Sequence, residues 1–184
     1  ATSGGAGVYL KDEKNRFKNY SKKDGLSDDF VWCAALRNDE ILFGSNNGIS
    51  VFKNNRFITA YPQFKNISVF SMLHENDGTL WVGSRGCVYR IINNETRKYI
   101  LFNVYGDCDI SSIYRDKKGN LWVGAYQGSL YKLEGDEFID YAKKWKLKSE
   151  SFLTICEDEE GNIYFGSFDG IYVWRNGKLL NINS

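Results

Sequence analysis

The sequence predicts an all-β protein, a β-propeller-type array of four-stranded antiparallel blades, on three observations. A motif of a turn glycine, a short apolar strand and a second glycine recurs along the chain, with the second glycine at Gly44, Gly83, Gly124 and Gly166. These glycines lie 39, 41 and 42 residues apart, which is the repeat length of a propeller blade. Aromatic residues make up 16% of the chain and there is one proline, a composition that favours strands.

Each repeat is predicted to form four strands, A to D, numbered outward from the propeller axis. In the third complete repeat, strand A covers Ile110–Tyr114, and the turn Asp116–Gly119 follows it. Aspartate accepts hydrogen bonds from the backbone just after it, and glycine adopts the positive φ that such a turn requires. The segments Asp158–Gly161 and Glu75–Gly78 repeat this turn, whereas Arg37–Glu40 departs from it.

Strand B of the third repeat, Leu121–Gly124, carries large apolar groups on both faces. A half-buried strand would alternate apolar and polar residues, so this strand is expected to lie between neighbouring blades. The same interpretation assigns one column of large residues to core packing rather than to ligand stacking: Leu42, Trp81, Trp122 and Tyr164. Strand C begins after a glycine, and strand D is the most polar strand, as an outer edge should be.

The repeats divide the chain into one half blade, residues 1–23, and blades at about 24–61, 62–103, 104–141 and 142–184. The half blade follows from 7–10 and 16–20, which match strands C and D. About four and a half blades predict an open arc or part of a larger propeller. The expected partners are the remaining blades of a parent chain or a second copy in a homo-oligomer.

Composition excludes several classes of function. The chain has 184 residues with 24 Lys and Arg against 23 Asp and Glu, so there is no strong positive electrostatic field that would favour binding of nucleic acid. No apolar run approaches the roughly 20 residues of a membrane helix, so we predict no direct membrane insertion, and no signal peptide is visible. The cysteines form no close pairs of the kind that zinc requires, so we expect buried or edge thiols and no metal. These are Cys33, Cys87, Cys108 and Cys156.

The repeat motif resembles the two-component regulator propeller repeat, whose pattern is D-x-x-G-x-L-W-h-G-[ST]-x-x-G-h, with h apolar. Asp116–Leu130 matches this pattern with Ala125 at the small hydroxyl position, and Asp158–Ile171 and Glu75–Val88 match with one or two conservative changes. Lys23–Val31 is similar to the family's entry into strand A. The resemblance implies a periplasmic sensor region of a membrane-anchored hybrid two-component regulator, many of which respond to oligosaccharides from glycan breakdown.

The D-to-A loops and B-to-C turns share one face of a propeller, and loops carry function while blades hold position. An oligosaccharide site needs an aromatic platform and polar groups, and this face offers both. The candidate ligand-binding residues are Trp32, Asn47, Arg85, Tyr126, Trp145, Phe168 and Asp169. Each of them also has an alternative interpretation as an ordinary turn residue. Trp145, among lysines, could bind an anionic sugar or a partner protein, or fold its ring over the blade edge.

Three functions follow as hypotheses. The first is a non-enzymatic ligand-sensing segment, and the second is an interaction scaffold without a small-molecule ligand. The third, a propeller lyase or lactonase, would need a histidine or a metal cluster near the axis. His74 is the only histidine and falls at the end of a strand A, so we predict no catalytic residues and no cofactor.

Overall fold

The computed structural model describes residues 6–10, 16–103, 106–148 and 151–182. The chain divides into two compact units, residues 1–74 and 75–184. Its main feature is a series of four-stranded antiparallel sheets in which consecutive strands are neighbours. The all-β, propeller-type prediction is therefore confirmed, while the open arc and the blade limits stay predictions.

The first unit contains a two-stranded ladder and the first full blade. The ladder pairs β1 (Ala6–Leu10) with β2 (Arg16–Tyr20). The blade has the order β3-β4-β5-β6, and β7 follows it. The bounds are β3 Val31–Arg37, β4 Glu40–Ser45, β5 Gly48–Lys53, β6 Arg56–Thr59 and β7 Ser71–His74. Short 3₁₀ turns lie at Lys22–Asp24 and Pro62–Phe64, and Tyr20, Leu26 and Phe52 contribute to the core.

The second unit continues the same pattern. With β7, the strands β8 (Leu80–Ser84), β9 (Cys87–Ile92) and β10 (Glu95–Ile100) make the second sheet. The third blade has the order β13-β14-β15-β16 and the fourth has β17-β18-β19-β20. Their bounds are β13 Ile110–Arg115, β14 Leu121–Ala125, β15 Leu130–Glu134, β16 Glu137–Asp140, β17 Phe152–Glu157, β18 Ile163–Ser167, β19 Gly170–Arg175 and β20 Lys178–Ile182.

Two elements lie in the segments that connect one blade to the next. A ladder pairs β11 (Phe102–Asn103) with β12 (Gly106–Asp107) before the third blade. A short helix, α1 (Tyr141–Trp145), follows the third blade. It begins at Tyr141 because the Asp140 side chain accepts a hydrogen bond from the Lys143 amide at 2.9 Å. Aspartate is a favoured N-cap residue, so the helix start has a local cause that a strand-based pattern does not detect.

The second strand of the second blade and of the third blade is buried on both faces, as the sequence predicted. Every residue of β8 and of β14 is buried. Glycine at position 124 has a packing cause, since a methyl group there would lie 2.9 Å from the Phe152 carbonyl oxygen of the fourth blade. Glycine is therefore required where one blade's strand meets the backbone of the next blade.

The turn between strands A and B is held by a carboxylate, which we call the turn carboxylate. In the third blade this is Asp116, which accepts hydrogen bonds from the Asn120 amide at 2.7 Å and from the Trp122 indole N–H at 2.9 Å. In the fourth blade Asp158 accepts from Asn162 and from the Tyr164 hydroxyl, at 2.8 and 3.0 Å. The motif's aspartate thus binds the large residue of strand B as well as the turn.

Glu75 is the turn carboxylate of the second blade. It accepts from the Trp81 indole N–H at 2.8 Å and from Arg115 of the third blade at 3.0 Å. The first blade has Leu42 where the others have tryptophan or tyrosine, so no N–H or O–H is available there. Its turn is instead closed by Glu40, which accepts from Lys53 at 2.8 Å and also pairs with Arg37.

All four cysteines are free thiols. Cys87 and Cys108 are buried, Cys33 is half-buried and Cys156 is exposed. Burial raises the pKa of the Cys33 thiol to about 12, so this group stays protonated and behaves as a small apolar side chain.

Candidate functional site

The candidate site in the second unit lies on the turns between strands B and C. Arg85 follows β8, Tyr126 follows β14 and Phe168 follows β18, so the three side chains occupy the same position in consecutive blades. Their backbone is held in place, because Arg85 forms a β-bridge with Asp109 and Tyr126 forms one with Ser151. The turns are therefore fixed while the side chains remain accessible.

Tyr126 and Phe168 form an exposed aromatic pair. Their ring centroids are 6.3 Å apart, with an angle of 52° between the ring planes. Tyr126 is 40% exposed and Phe168 is 66% exposed. Large aromatic rings are usually buried, and two neighbouring exposed rings present a contiguous apolar surface in water. The pair is thus a ready-made stacking surface.

Charged groups accompany the aromatic pair. Arg85 donates to the Asp109 carboxylate at 2.9 Å, and the Arg85 side chain is 66% exposed. The backbone carbonyl of Asp109 also accepts from the Tyr126 amide at 3.0 Å. Asp109 therefore links the turn that carries Arg85 to the turn that carries Tyr126.

Asp169 is a positioning residue in the structure. Its carboxylate accepts from the Ser167 hydroxyl at 2.7 Å and from the Tyr172 hydroxyl at 3.2 Å. Burial, and then the Asp169 charge, raise the pKa of Tyr172, so this phenol stays a donor. These bonds fix the turn that projects Phe168.

In the first unit, Trp32 and Asn47 lie at the first blade. Trp32 is 40% exposed, donates to the Asn46 side-chain oxygen at 2.6 Å and packs edge-on against Phe70 at 5.5 Å. The Asn47 side chain joins two loops, because it donates to the Ser27 carbonyl at 3.3 Å and accepts from the Asn66 amide at 2.8 Å. Its amide is thus already used in holding these loops together.

Trp145 packs inside the second unit rather than projecting among the lysines. Its ring stacks on Trp174 at 4.6 Å with an angle of 22°, and it meets Tyr141 edge-on at 4.8 Å. Trp145 is half-buried against the core of the third and fourth blades, while Lys143 and Lys144 remain exposed. The structure therefore shows the ring folded over the blade edge, and a ligand role for it stays a prediction.

Sequence reasoning missed a pocket in the first unit. It has a volume of about 280 Å³ and is lined by Ser27, Asn47, Gly48, Ile49, Ala60, Tyr61, Pro62 and Lys65. Among these lining residues, Asn47 was a candidate ligand-binding residue. The pocket arises where two loops meet the end of a turn, which no local motif indicates.

Two stretches of the chain, residues 105–127 and 146–169, match the family model described as "Two component regulator propeller". These two stretches carry two-component regulator propeller repeats. This confirms the resemblance predicted from the motif, since the matched stretches include the turn carboxylates Asp116 and Asp158. No curated protein matches the sequence.

Solved structures show the same fold. The extracellular domain of a putative one component system from B. thetaiotaomicron superposes with a TM-score of 0.76 at 19% identity, covering 94% of this chain and 25% of that chain. The extracellular domain of a putative hybrid two component system from the same organism gives 0.75 at 17%, with 99% and 26% covered. The chain therefore spans about a quarter of the length of these sensor chains.

An enzyme shares the fold as well. Virginiamycin B lyase from Staphylococcus aureus superposes with a TM-score of 0.67 at 14% identity, covering 94% of this chain and 61% of that chain.

Within the described parts of the propeller repeats, no group of three or more His, Cys, Asp or Glu residues could hold a metal ion. His74 ends β7 and is half-buried. In the same described parts, no helix is long and apolar enough to cross a membrane.

Proposed function

We propose that this chain is a non-enzymatic propeller segment from the periplasmic sensor region of a two-component regulator, and that it binds an oligosaccharide derived from glycan breakdown. The repeat family and the fold shared with extracellular sensor domains support the sensor role. The ligand-binding part of the proposal depends on one observation, the exposed pair of Tyr126 and Phe168.

The aromatic pair suits a sugar because the C–H faces of a pyranose ring are apolar while its edges are polar. Two rings inclined at 52° with centroids 6.3 Å apart can contact adjacent faces of one or two sugar units. The Tyr126 hydroxyl and the exposed Arg85 guanidinium supply donors for the sugar hydroxyls. An open surface of this kind favours weak, reversible binding, which suits a sensor.

The test is calorimetry with a panel of oligosaccharides on the wild-type chain and on Phe168→Ala, Tyr126→Ala and the double variant. Each single change should weaken binding of the active sugar by about tenfold, on the scale of aromatic stacking. The matched control is Phe30→Ala, because Phe30 is also an exposed phenylalanine, at 49%, and belongs to the first unit. No heat with any sugar, or equal losses in the control, would refute the proposal.

A second function, an interaction scaffold, is favoured by an exposed apolar face on the fourth blade. Ile171, Leu180 and Ile182 are 44%, 49% and 56% exposed. Ile171 lies opposite Ile182, and Leu180 lies opposite Val173, so these side chains share one face of the sheet. Contiguous exposed apolar residues commonly mark a protein–protein contact.

The contact between the third and fourth blades indicates what kind of partner this exposed face would bind. Gly124 of the third blade is met by the Phe152 carbonyl of the fourth, whereas a methyl group at Gly166 would meet only Thr154 of its own blade within 3.4 Å. We infer that this face accepts another blade of the same type, from a longer parent chain or from a second copy. Sedimentation of wild type and Leu180→Glu tests the second copy, and a scaffold without a ligand would give association but no heat with sugars.

The third function, a lyase or lactonase, would have to use His74, the only histidine. We infer that the segment has no catalytic role, since only the fold is shared with the lyase. Any glycan- or lactone-cleaving activity that is lost in His74→Ala would overturn this part of the proposal.

A further inference from the structure

We propose that the pocket of the first unit is a second binding site, which takes a single small carboxylate of monosaccharide size, such as a uronic acid. The pocket is built from first-unit residues alone, and it does not include the aromatic pair of Tyr126 and Phe168. The inference therefore goes beyond the proposed function and can fail or succeed independently of it.

The pocket walls are rigid. Phe64, the last residue of the 3₁₀ turn, is fully buried, and a methyl group at Gly48 would lie 2.7 Å from the Phe64 carbonyl oxygen, so turn and loop are in close contact. Gly48 also donates to the Ile67 carbonyl at 2.9 Å. Asn47 holds the Ser27 loop on one side and the Asn66 loop on the other. Binding here therefore requires little ordering of the protein.

One wall is held in an uncommon backbone conformation. Tyr61 has φ 60° and ψ 60°, the left-handed region that bulky residues rarely adopt. Such a conformation costs on the order of 1–2 kcal/mol and persists where surrounding contacts determine it. Here the Tyr61 hydroxyl accepts a hydrogen bond from Arg37, and its ring packs edge-on to Phe64 at 6.5 Å. The ring is thereby presented as a fixed, apolar wall.

The Ser27 hydroxyl of the pocket lining has already used its hydrogen, because it is hydrogen-bonded to the hydroxyls of Ser45 and Ser50. The Ser50 hydroxyl donates to Ser27 at 2.8 Å, and the Ser45 hydroxyl donates to the Gly48 carbonyl at 3.0 Å. The Ser27 and Ser45 hydroxyls lie 2.9 Å apart, so the Ser27 hydrogen is directed to Ser45. The Ser27 hydroxyl therefore offers a ligand no hydrogen.

Lys65 supplies the charge. It is exposed, and among the residues that line the pocket it is the one with an ionised side chain. Arg37 pairs with Glu40, and Lys53 pairs with Glu40 at 2.8 Å and with Asp39 at 3.6 Å, so these two cations face two carboxylates. Two acidic residues follow Ser27, but neither lines the pocket: Asp28 lies 4.0 Å from the Lys22 ammonium group, and Asp29 accepts a hydrogen bond from the Lys22 amide at 2.8 Å. The pocket thus presents one ammonium group and favours one anionic group.

Size and lining narrow the class of ligand. A volume of about 280 Å³ lies just below the roughly 300–1,000 Å³ of typical small-molecule sites, so one ring fits and a chain does not. Ile49, Ala60 and Pro62 provide an apolar surface for the ring, and Lys65 provides the partner for its carboxylate. A free sugar acid and the uronate end of a glycan share this chemistry.

The test is a titration of the full chain with sodium glucuronate and with glucose, followed by NMR. Glucuronate should saturate the shifts of pocket residues, and glucose should bind about two- to fivefold more weakly, on the scale of one exposed ion pair. Lys65→Gln should abolish this preference, Lys65→Arg should retain it, and Lys178→Gln, an exposed lysine of the second unit, is the matched control. Ala60→Leu, which narrows the pocket, should weaken both ligands.

Three results would overturn the inference: no saturable binding, equal binding of glucose, or full displacement by chloride. A fourth is loss of glucuronate binding in the double variant Tyr126→Ala/Phe168→Ala, which would assign the ligand to the aromatic pair. Retained binding in that variant, with oligosaccharide binding lost, separates this site from the proposed function. Digalacturonate binding as tightly as galacturonate identifies a glycan end as the source, and weaker binding identifies the free acid.

Discussion

Removing the turn carboxylate of the third blade should strongly destabilise the second unit. Asp116 is 3% exposed, and Trp122, which donates to it, is 2% exposed. In Asp116→Ala the indole N–H and both Asn120 donors lose their acceptor. A buried donor without a partner costs about 1–3 kcal/mol, and partly exposed ones cost less, so the free energy of unfolding should fall by about 3–5 kcal/mol. Asp116→Asn keeps one acceptor oxygen and should lose about 1–2 kcal/mol.

The assay is urea unfolding followed by tryptophan fluorescence, since Trp81, Trp122, Trp145 and Trp174 all belong to the second unit. A double-mutant cycle with Trp122→Phe isolates the indole bond, whose coupling energy should be about 1–2 kcal/mol. Asp136→Ala is the control, because its side chain is 72% exposed and pairs with an exposed arginine, and it should change stability by less than about 0.5 kcal/mol. A loss below about 1 kcal/mol in Asp116→Ala, or a coupling near zero, would refute the reasoning.

Three further outcomes are expected. Hydrogen bonding from Asn162 lowers the pKa of Asp158 to about 2, below its usual 3.8. The contribution of the Asp158 carboxylate to the free energy of unfolding is therefore complete above about pH 4 and is lost as the pH falls towards 2. Acid titration of Asp158→Asn should give a flatter curve of stability against pH in that range. Gly124→Ala should cost about 2–4 kcal/mol because the methyl group meets a backbone oxygen, while Gly166→Ala, which meets a side-chain methyl group, should cost less in thermal unfolding. Trp145→Ala should lower the free energy of unfolding by about 2–4 kcal/mol and leave oligosaccharide binding unchanged. Unchanged stability with weaker oligosaccharide binding would instead show that the Trp145 ring contacts the ligand.

The strands and turns were predictable because their causes are local. The glycine of Asp116–Gly119 and the apolar run Leu121–Val123 determine a turn and a doubly covered strand within a few residues. The hydrogen bond from the Trp122 indole N–H to Asp116 was not predicted, although the fixed spacing between aspartate and tryptophan in the motif is consistent with it. That spacing could have been used, since an acceptor and a donor at a constant separation in a repeat commonly meet.

The candidate site was less predictable because its contacts are distant in sequence. Trp145 packs on Trp174, 29 residues later, so its neighbours in the sequence left open whether the ring binds a ligand or folds over the blade edge. Asn47 bonds to Ser27 and to Asn66, and only the folded chain brings these together. The shared repeat position of Tyr126 and Phe168 indicated accessible side chains, but the distance between their rings required the structure.

The turn carboxylate has an evolutionary consequence. In the third blade the acceptor Asp116 and the donor Trp122 are six positions apart in one repeat, so the bond that secures the blade is encoded within a single segment. A tandem duplication of that segment would copy acceptor and donor together, and the new blade would be internally secured from the outset. Arrays of this type can therefore gain members by gene duplication without compensating mutations elsewhere, and divergence is then free to act on the exposed turns.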